Sequence, residues 1–320
     1  MDAIVLAGGY ATRLWPVTYH RPKMFLPVGE STVIDDVLAQ LEADERIDDV
    51  YVSTNERFAE SFTSHLESQE YRKATVSIER TTEEDEKFGV VGALAQLVDR
   101  ESLSKDTLII AGDNLISFEV SEFVDFFTDR RVPTIAAYDV GTRDRATAYG
   151  VVELDDDRRV RSFEEKPDDP PSSLVSVACY GFRADDLELL ETYLSGQNNP
   201  DEPGWFVQWL VDRGRVDAFT FDGVWFDIGT PESYLDAIAW KLDGNQQVHP
   251  DAVVENTSIG PNVHIMADAR VEDSFVRDCI IFPETSITDC ELERTIVDTN
   301  AQVDGKSLSS TMIGPRTVLD

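Results

Sequence analysis

Residues 3–27 read Ala-Ile-Val-Leu-Ala-Gly-Gly-Tyr-Ala-Thr-Arg-Leu-Trp-Pro-Val-Thr-Tyr-His-Arg-Pro-Lys-Met-Phe-Leu-Pro. The apolar run at 3–7 predicts a short buried strand. The pair Gly8-Gly9 directly after it predicts a turn whose backbone amides approach an anion closely. Two cations follow, Arg13 and Lys23, and two prolines hinder a continuous helix between them. The stretch therefore predicts a strand, a glycine turn and a shaped loop with two positive charges, which suits a polyphosphate.

The spacing of these residues excludes two common phosphate-binding motifs. No Gly-Lys-Ser/Thr follows a four-residue gap, and the second and third spaced glycines of the dinucleotide fingerprint are missing. The segment resembles instead the signature of sugar-1-phosphate nucleotidyltransferases (NDP-sugar pyrophosphorylases), Gly-Gly-x-Gly-Thr-Arg-Leu-x-Pro-x-Thr…Pro-Lys. Ala11 stands where that family usually has glycine. We expect its methyl group to narrow the turn without abolishing it, on the condition that φ stays negative.

The composition is strongly acidic. Asp and Glu total 62 against 28 for Lys plus Arg, which gives a formal net charge of −34. Such a surface repels nucleic acid and anionic membranes, and it is typical of salt-adapted, halophilic proteins. No apolar run approaches the roughly 18 residues of a membrane span, and Asp2 replaces the basic start of a signal peptide. Three widely spaced cysteines predict reduced thiols and a cytoplasmic protein.

Apolar strands alternate with amphipathic helices up to about residue 140, which predicts an α/β domain with a doubly wound, mostly parallel sheet. After that, residues 150–164 predict a hairpin, and 186–194 predict a helix. Thr230 and Pro231 predict the start of a helix that runs to about 242. Residues 244–247 predict a linker, so we expect a catalytic domain at 1–243 and a second domain at 248–320.

The second domain has its own apolar period. Apolar positions step by six from Val253 to Val271, and then by five, five and six up to Ile313. Three interleaved series with a period of 16 predict a three-sided parallel coil whose apolar residues point inward. Two segments, 259–263 and 313–317, resemble hexapeptide-repeat turns, and this resemblance implies a short left-handed β-helix. We expect the coil to be the surface through which copies of the chain assemble into a homo-oligomer.

The family resemblance implies a Mg²⁺ cofactor held by Asp113 and Asp227. Asp113 follows a buried apolar run in Gly-Asp-Asn, and Asp227 lies in Asp-x-Gly-Thr. Ligands of open α/β sheets bind at the carboxyl ends of strands, and Mg²⁺ usually takes one or two carboxylates together with phosphate and water.

The resemblance also implies the substrate contacts. Tyr149-Gly150 and Glu165-Lys166 match the module Tyr-Gly-Val-Val…Glu-Lys-Pro, in which Glu165 and the backbone of Gly150 bind sugar hydroxyls and Lys166 meets the sugar phosphate. Val177 replaces a polar sugar contact of many relatives. The nucleotide-binding positions are Leu6, Gly8, Gly9, Glu79, Gly89 and Gly92. An acidic loop at 83–86 lengthens the part of the chain that reads the base.

The resemblance therefore implies transfer of a nucleoside monophosphate from an NTP to a sugar 1-phosphate, with Arg13, Lys23 and Lys166 as catalytic cations. Gly112-Asp113-Asn114 favours dTTP or UTP with glucose 1-phosphate. The coiled tail also occurs in guanylyl and adenylyl relatives, so these stay open as alternatives, among them a mannose-1-phosphate guanylyltransferase. A non-catalytic subunit that binds sugar nucleotides is another alternative. A bifunctional acyltransferase would use a histidine such as His264, but the short coil argues against it.

Overall fold

A computed structural model describes residues 1–79 and 89–320 of the chain. The strands before residue 230 are β1 Asp2–Leu6, β2 Pro27–Val28, β3 Ser31–Thr32, β4 Val50–Asn55, β5 Ala74–Glu79, β6 Thr107–Ala111, β7 Asn114–Ile116, β8 Thr134–Asp139, β9 Gly150–Leu154, β10 Val160–Glu165, β11 Leu174–Phe182, β12 Asp217–Thr220 and β13 Trp225–Asp227. The helices are α1 Val33–Ala43, α2 Ala59–Ser68, α3 Val90–Arg100, α4 Val120–Arg130, α5 Arg143–Ala146, α6 Ala184–Leu187, α7 Leu189–Ser195, α8 Pro203–Val211 and α9 Pro231–Leu242.

The chain divides into two compact units. The first contains residues 1–9 and 36–225, and the second contains residues 10–35 and 226–320. The predicted division into 1–243 and 248–320 follows the sequence pattern instead, and it stays a prediction.

The first unit is built on a sheet in which nine of the described strands take part, with β10, β9, β11, β6, β1, β4 and β5 in that order. The strands β6, β1, β4 and β5 are parallel, while β11 runs antiparallel to β6 and to β8. The hairpin is confirmed as β9 and β10. A core that includes Ile4, Ile109, Phe182 and Phe206 packs helices such as α3, α7 and α8 against this sheet.

The α/β fold is therefore confirmed, and one helix of this unit differs from its prediction. The stretch predicted as one helix at 186–194 is two short helices, α6 and α7, which meet at Glu188.

The second unit contains the coil. Its strands are β14 Gln246–Val248, β15 Val253–Glu255, β16 Ser258–Ile259, β17 Val263–Ile265, β18 Arg270–Glu272, β19 Phe275–Arg277, β20 Ile280–Ile281, β21 Ser286–Thr288, β22 Glu291–Glu293, β23 Ile296–Val297, β24 Gln302–Asp304, β25 Ser307–Ser309, β26 Met312–Ile313 and β27 Val318–Leu319. They stack in parallel as three sheets of five, five and four strands, the arrangement of a short left-handed β-helix.

The predicted inward positions are confirmed from Ile265 to Ile313, but two predictions at the start of the coil are wrong. The inward residue of β15 is Val254 rather than Val253, because Val254 pairs with Val271 and this first coil has 17 residues. Residues 246 and 247 belong to β14, which pairs with β17, and so they are not a linker.

The corners of the coil use left-handed residues, among them Asn262 and Arg316 of the two hexapeptide-like turns. His264 is buried on β17, and burial together with His249 lowers its pKa to about 4. In the second unit the predicted start of α9 is confirmed, because Thr230 Oγ1 accepts a hydrogen bond from the Ser233 amide and Pro231 is the first helical residue. No helix among residues 1–79 and 89–320 is long and apolar enough to cross a membrane.

Candidate functional site

The first unit brings several of the predicted residues to one edge of the sheet. Leu6 at the end of β1 pairs with Ser53 on one side and with Ala111 on the other. The segments that follow these parallel strands therefore meet at their carboxyl ends, where open α/β sheets bind ligands. Gly8 and Asp113 lie in these segments. The Asn55 amide ties β4 to the glycine turn, since its Nδ2 donates a hydrogen bond to the Gly8 carbonyl oxygen at 3.2 Å.

Glu79 lies at the same edge, at the end of β5. Its Oε1 accepts a hydrogen bond from Ser53 Oγ at 2.9 Å, and it would lie 3.0 Å from a Cβ atom at Gly8. A side chain at position 8 would therefore press on the Glu79 carboxylate. This contact gives a physical reason for glycine at that position. Arg80 and the acidic loop 83–86, the other predicted base-reading part, lie outside the described residues.

Glu165 at the end of β10 is enclosed by two glycines. Its Oε2 would lie 2.8 Å from a Cβ atom at Gly150 of β9 and 1.7 Å from one at Gly204 of α8. The backbone amide of Glu165 donates to Gln208 Oε1 at 3.1 Å. Burial raises the pKa of Glu165 to about 7; Lys166 opposes this shift and the carboxylate of Glu202 adds to it. This carboxyl group therefore changes charge near neutral pH.

Lys166 is the next residue, and its Nζ forms an ion pair with Glu202 Oε1 at 2.5 Å. Its backbone has a φ of 49° and its amide donates to the Tyr149 carbonyl oxygen at 3.1 Å. The left-handed turn at Lys166 directs the chain away from the hairpin immediately after Glu165. The predicted pair Glu165-Lys166 is thus brought together with Tyr149 and Gly150, as the hairpin prediction requires.

A chain of polar contacts runs from Asp113 towards this hairpin. Asn114 Nδ2 donates to Asp113 Oδ1 at 2.9 Å, and Trp225 Nε1 donates to Asn114 Oδ1 at 2.5 Å. The Trp225 ring then meets the Tyr149 ring edge to face, with 4.9 Å between centroids. Asp113, a predicted metal ligand, is therefore linked to Tyr149, a predicted sugar contact, through two residues that the sequence analysis did not assign to the site. Val177 is buried in β11.

Packing between two segments of the chain explains why the residue directly before α3 is glycine. Gly89 has a φ of 74°, and a Cβ atom there would lie 2.3 Å from the Pro200 carbonyl oxygen. That oxygen accepts a hydrogen bond from the Val91 amide at 2.9 Å. Glycine is thus required at position 89 because the backbone at Pro200 comes close to it. The part that Gly89 and the buried Gly92 play in nucleotide binding stays a prediction.

In the second unit, Arg13 and Asp227 share a neighbour. A Cβ atom at Gly229 would lie 2.9 Å from Arg13 Nη2 and 3.7 Å from Asp227 Oδ1. Arg13 lies in a 3₁₀ turn at Thr12–Leu14, and Lys23 opens a second one at Lys23–Phe25 directly after Pro22. The two predicted cations are thus on short turns of one segment, as the prolines indicate.

The condition of a negative φ at Ala11 is not met. Its φ is 52° and its ψ is 44°, in the left-handed region that favours glycine. The conformation is held by its carbonyl oxygen, which accepts hydrogen bonds from the Leu14 amide at 3.0 Å and from Thr18 Oγ1 at 2.8 Å. The loop therefore keeps the backbone shape that glycine would adopt, and the alanine is strained.

The donor chemistry of the predicted metal ligands suits Mg²⁺, because two carboxylates with phosphate and water form its usual environment. Among residues 1–79 and 89–320, no three His, Cys, Asp or Glu side chains are grouped so as to hold a metal by themselves. Asp113 and Asp227 therefore stay predicted ligands.

Glu202, Gly204 and Gln208 were not predicted from the sequence as site residues. The start of α8 contacts Glu165 and Lys166 through these three positions. These residues are 36 to 43 positions away in sequence, so no local spacing marks them. The only signal near them is Pro203, which is the first residue of α8.

Known proteins resemble this chain over most of its length. The family described as "Nucleotidyl transferase" matches residues 2–243. A "Putative mannose-1-phosphate guanyltransferase" of Sulfolobus acidocaldarius is 28% identical over 88% of this chain and 76% of its own length. A "Bifunctional protein GlmU" of Methanocaldococcus jannaschii is 25% identical over 86% of this chain and 61% of its own length.

The fold comparison agrees. A crystal structure described as a putative glucose-1-phosphate thymidylyltransferase from Bacillus anthracis, in complex with a sucrose, superimposes with a TM-score of 0.66 and 25% identity, over 77% of this chain and 96% of that one. The chain belongs to the nucleotidyl transferase family, and it is an enzyme of the nucleotidyltransferase class.

Proposed function

We propose that the protein transfers a nucleoside monophosphate from an NTP to a sugar 1-phosphate and releases pyrophosphate. The observation that supports this most is the end of the β9–β10 hairpin, where Glu165 and Lys166 lie side by side against the start of α8. A carboxylate accepts hydrogen bonds from sugar hydroxyls, and the adjacent ammonium neutralises a phosphate. The family membership and the sugar 1-phosphate enzymes among the relatives support the same reaction.

In this reaction an oxygen of the sugar phosphate attacks the α-phosphorus of the NTP in line. The bond from the α-phosphorus to that oxygen forms while the bond to the bridging oxygen of pyrophosphate breaks. Arg13 holds the leaving pyrophosphate, Lys23 neutralises the α-phosphate, and Lys166 holds the attacking phosphate. Mg²⁺, with Asp113 and Asp227 as its predicted ligands, would offset negative charge on the phosphates. Catalysis is then positioning and charge stabilisation.

For the substrates we propose dTTP or UTP with glucose 1-phosphate, as the Gly-Asp-Asn motif favours. A second candidate is GTP with mannose 1-phosphate. Two relatives named for mannose-1-phosphate guanylyl transfer support it, from Sulfolobus acidocaldarius and, at 28% identity over 80% of its own length, from Mycobacterium tuberculosis. Glu79 at the sheet edge also supports it, because a carboxylate only accepts hydrogen bonds and the pairing edge of guanine offers two donor groups.

The test is a grid of pyrophosphate-release assays with Mg²⁺ and high KCl. Five NTPs are combined with glucose, mannose and N-acetylglucosamine 1-phosphates, and release with one pair names the substrates. Asp113→Asn should then abolish release. Asp185→Asn is the matched control, because Asp185 is 85% exposed in the same unit. No release with any pair, together with intact binding of a nucleotide sugar, would favour the non-catalytic subunit.

We place the enzyme in the cytoplasm, where its three cysteines, all free and buried, would stay reduced. We also propose salt adaptation and assembly of identical chains through the coil, because a few coils leave open ends. Light scattering tests the assembly, and activity against KCl concentration tests the salt adaptation. A monomer, or full activity without KCl, would contradict the respective proposal.

A further inference from the structure

The second unit contains a buried ion pair that joins the coil to the loop that contains Lys23. Arg21 Nη2 donates to Asp298 Oδ1 at 2.6 Å, although the two residues are 277 positions apart. The Asp298 side chain is fully buried. The Arg21 guanidinium also lies 4.6 Å from the centre of the Phe282 ring, and Phe282 is buried as well. The coil thus supplies both a charge and an aromatic face to one side chain of this segment.

A second contact holds the other end of the segment. Tyr234 of α9 is buried, and its hydroxyl donates to the Pro27 carbonyl oxygen at 2.7 Å. Between Arg21 and Pro27, the side chains of Met24 and Leu26 are buried. Residues 21–27, which we call the Lys23 segment, are therefore held by the coil at one end and by α9 at the other.

The backbone of Asp298 is hydrogen-bonded through both its amide and its carbonyl group. Its amide donates to the Ile313 carbonyl oxygen at 3.0 Å, and its own carbonyl oxygen accepts from the Ala301 amide at 3.2 Å. Its Oδ1 also accepts from the Thr299 amide at 2.7 Å. The side chain that meets Arg21 therefore extends from a backbone fixed on both sides.

Stability alone is a poor explanation for this pair. Removing a carboxylate from water is energetically costly, and an apolar pair of similar volume is often at least as stable. Asp298 Oδ2 has no hydrogen-bond partner among the residues that the structure describes, which adds to the cost. The buried charge of Asp298 is better explained by its effect on the position of Arg21, which it holds in place.

We propose that Asp298 is a positioning residue for Lys23. It fixes the position of Arg21. Pro22, whose φ is −57°, is conformationally restricted and connects Arg21 directly to the 3₁₀ turn that begins at Lys23. The position of Arg21 therefore determines the position of that turn. The coil is then part of the nucleotide-binding machinery through one ion pair. This inference rests on the proposed function, in which Lys23 neutralises the α-phosphate. Asp298 acts on the substrate only through Arg21 and Lys23.

The first experiment is a double-mutant cycle on kcat and KM with the substrate pair that the grid identifies. Asp298→Ala and Arg21→Ala should each lower kcat by up to about 100-fold, because small misplacements of a catalytic group have effects of that size. The double variant should be no more than about twofold slower than either single variant, since both remove one contact. Asp298→Asn keeps the shape and an acceptor oxygen, so it should retain more activity than Asp298→Ala.

Asp236→Ala is the matched control. Asp236 on α9 pairs with Arg294 of the coil at 2.9 Å, so this variant also removes an ion pair between the coil and α9. The pair is not among the contacts that hold the Lys23 segment, and kcat should be unchanged. Equal losses of kcat in Asp236→Ala and Asp298→Ala would indicate general loosening of the unit and overturn the proposal.

The second experiment does not depend on activity. Amide hydrogen exchange of a peptide spanning the Lys23 segment is compared in the wild type, Asp298→Asn and Asp236→Ala. We expect the segment to exchange faster in Asp298→Asn and at the wild-type rate in Asp236→Ala. Unchanged exchange in Asp298→Asn would overturn the proposal. Additive losses of kcat in the double-mutant cycle on Arg21 and Asp298 would also overturn it. If the wild type transfers no nucleotide, the proposed function fails, while the exchange data still decide whether Asp298 fixes the segment.

Discussion

Gly204 and the carboxylate of Glu165 are so close that a Cβ atom at position 204 would lie 1.7 Å from Glu165 Oε2. Gly204 lies in the first turn of α8, where its φ is not in the left-handed region. The glycine is therefore explained by the space that the carboxylate occupies. Because the colliding atom ends a flexible side chain, a larger residue would displace Glu165 without unfolding the helix.

The first prediction concerns that displacement. Gly204→Ala should raise the KM for the sugar 1-phosphate by about 10- to 100-fold, because the carboxylate that binds the sugar hydroxyls moves. Helix stability should not fall, since alanine is favoured over glycine in helices by about 1 kcal/mol. Steady-state kinetics and thermal unfolding measure the two effects.

Gly214→Ala is the matched control for this prediction. A Cβ atom at Gly214 would meet no atom within 4 Å, and its φ is not in the left-handed region either. This variant should keep the wild-type KM. An unchanged KM in Gly204→Ala would mean that Glu165 does not contact the sugar from its present position.

The second prediction is a pH dependence of stability. Burial raises the pKa of Glu165 from 4.5 to about 7. Between these values the unfolded chain loses the proton while the folded chain keeps it, so rising pH favours the unfolded chain. Glu165→Gln carries no charge at any pH. Its stability relative to the wild type should therefore increase from about pH 4.5 to 7 and stay constant above that.

Denaturant unfolding of both proteins over this pH range, at one high KCl concentration, measures the difference. The comparison cancels the self-repulsion of the other acidic residues, which both proteins share. A constant difference across the range would contradict the raised pKa.

The third prediction concerns the ion pair between Lys166 and Glu202. Both side chains are partly exposed, so the pair contributes at most about 1 kcal/mol to stability. In the proposed reaction the sugar phosphate must replace Glu202 as the partner of Lys166. Glu202→Gln should therefore lower the KM for the sugar 1-phosphate several-fold with little change in the unfolding temperature, whereas Lys166→Met should lower kcat/KM by about 100- to 1000-fold.

Glu272→Gln is the control for this charge change. Glu272 pairs with Arg270 on the coil at 2.8 Å, and neither residue is among the predicted substrate contacts. Its KM should equal that of the wild type. A higher KM in Glu202→Gln would show that Glu202 orients Lys166 for the substrate and does not compete with it.

Local patterns in the sequence predicted the parts of the fold that local physics decides. The alternation of strands and helices, the hairpin, the Thr230 cap and the 16-residue coil period all depend on neighbouring residues, and the structure confirms them. The first coil was misread because its period is 17, which the apolar steps of six concealed. One extra residue moves the inward position from Val253 to Val254.

The site was predicted in part for the same reason. Glu165 and Lys166 are adjacent to a recognisable hairpin, but Gly204, Gln208 and Trp225 reach the site through packing between distant segments. A single sequence has no local signal for such contacts. The pair Arg21 and Asp298 is the extreme case, because Asp298 belongs to a repeat in which most corner residues are polar and its sequence context does not distinguish it from them.

The last prediction concerns Ala11, which has a left-handed backbone at the position where the family signature has glycine. A left-handed conformation costs a residue with a Cβ atom about 1–2 kcal/mol, and glycine avoids that cost. Glycine also gains about 0.4–1 kcal/mol of freedom in the unfolded chain, which offsets part of the benefit. Ala11→Gly should therefore raise the free energy of unfolding by up to about 1.6 kcal/mol.

Ala239→Gly tests whether the effect belongs to the left-handed backbone. Ala239 lies inside α9 of the same unit, with helical backbone angles, so glycine there should lower stability by about 0.5–1 kcal/mol. Denaturant unfolding of both variants should thus give shifts of opposite sign. A loss of stability in Ala11→Gly as large as that in Ala239→Gly would mean that the loop relaxes around Ala11 and stores no strain.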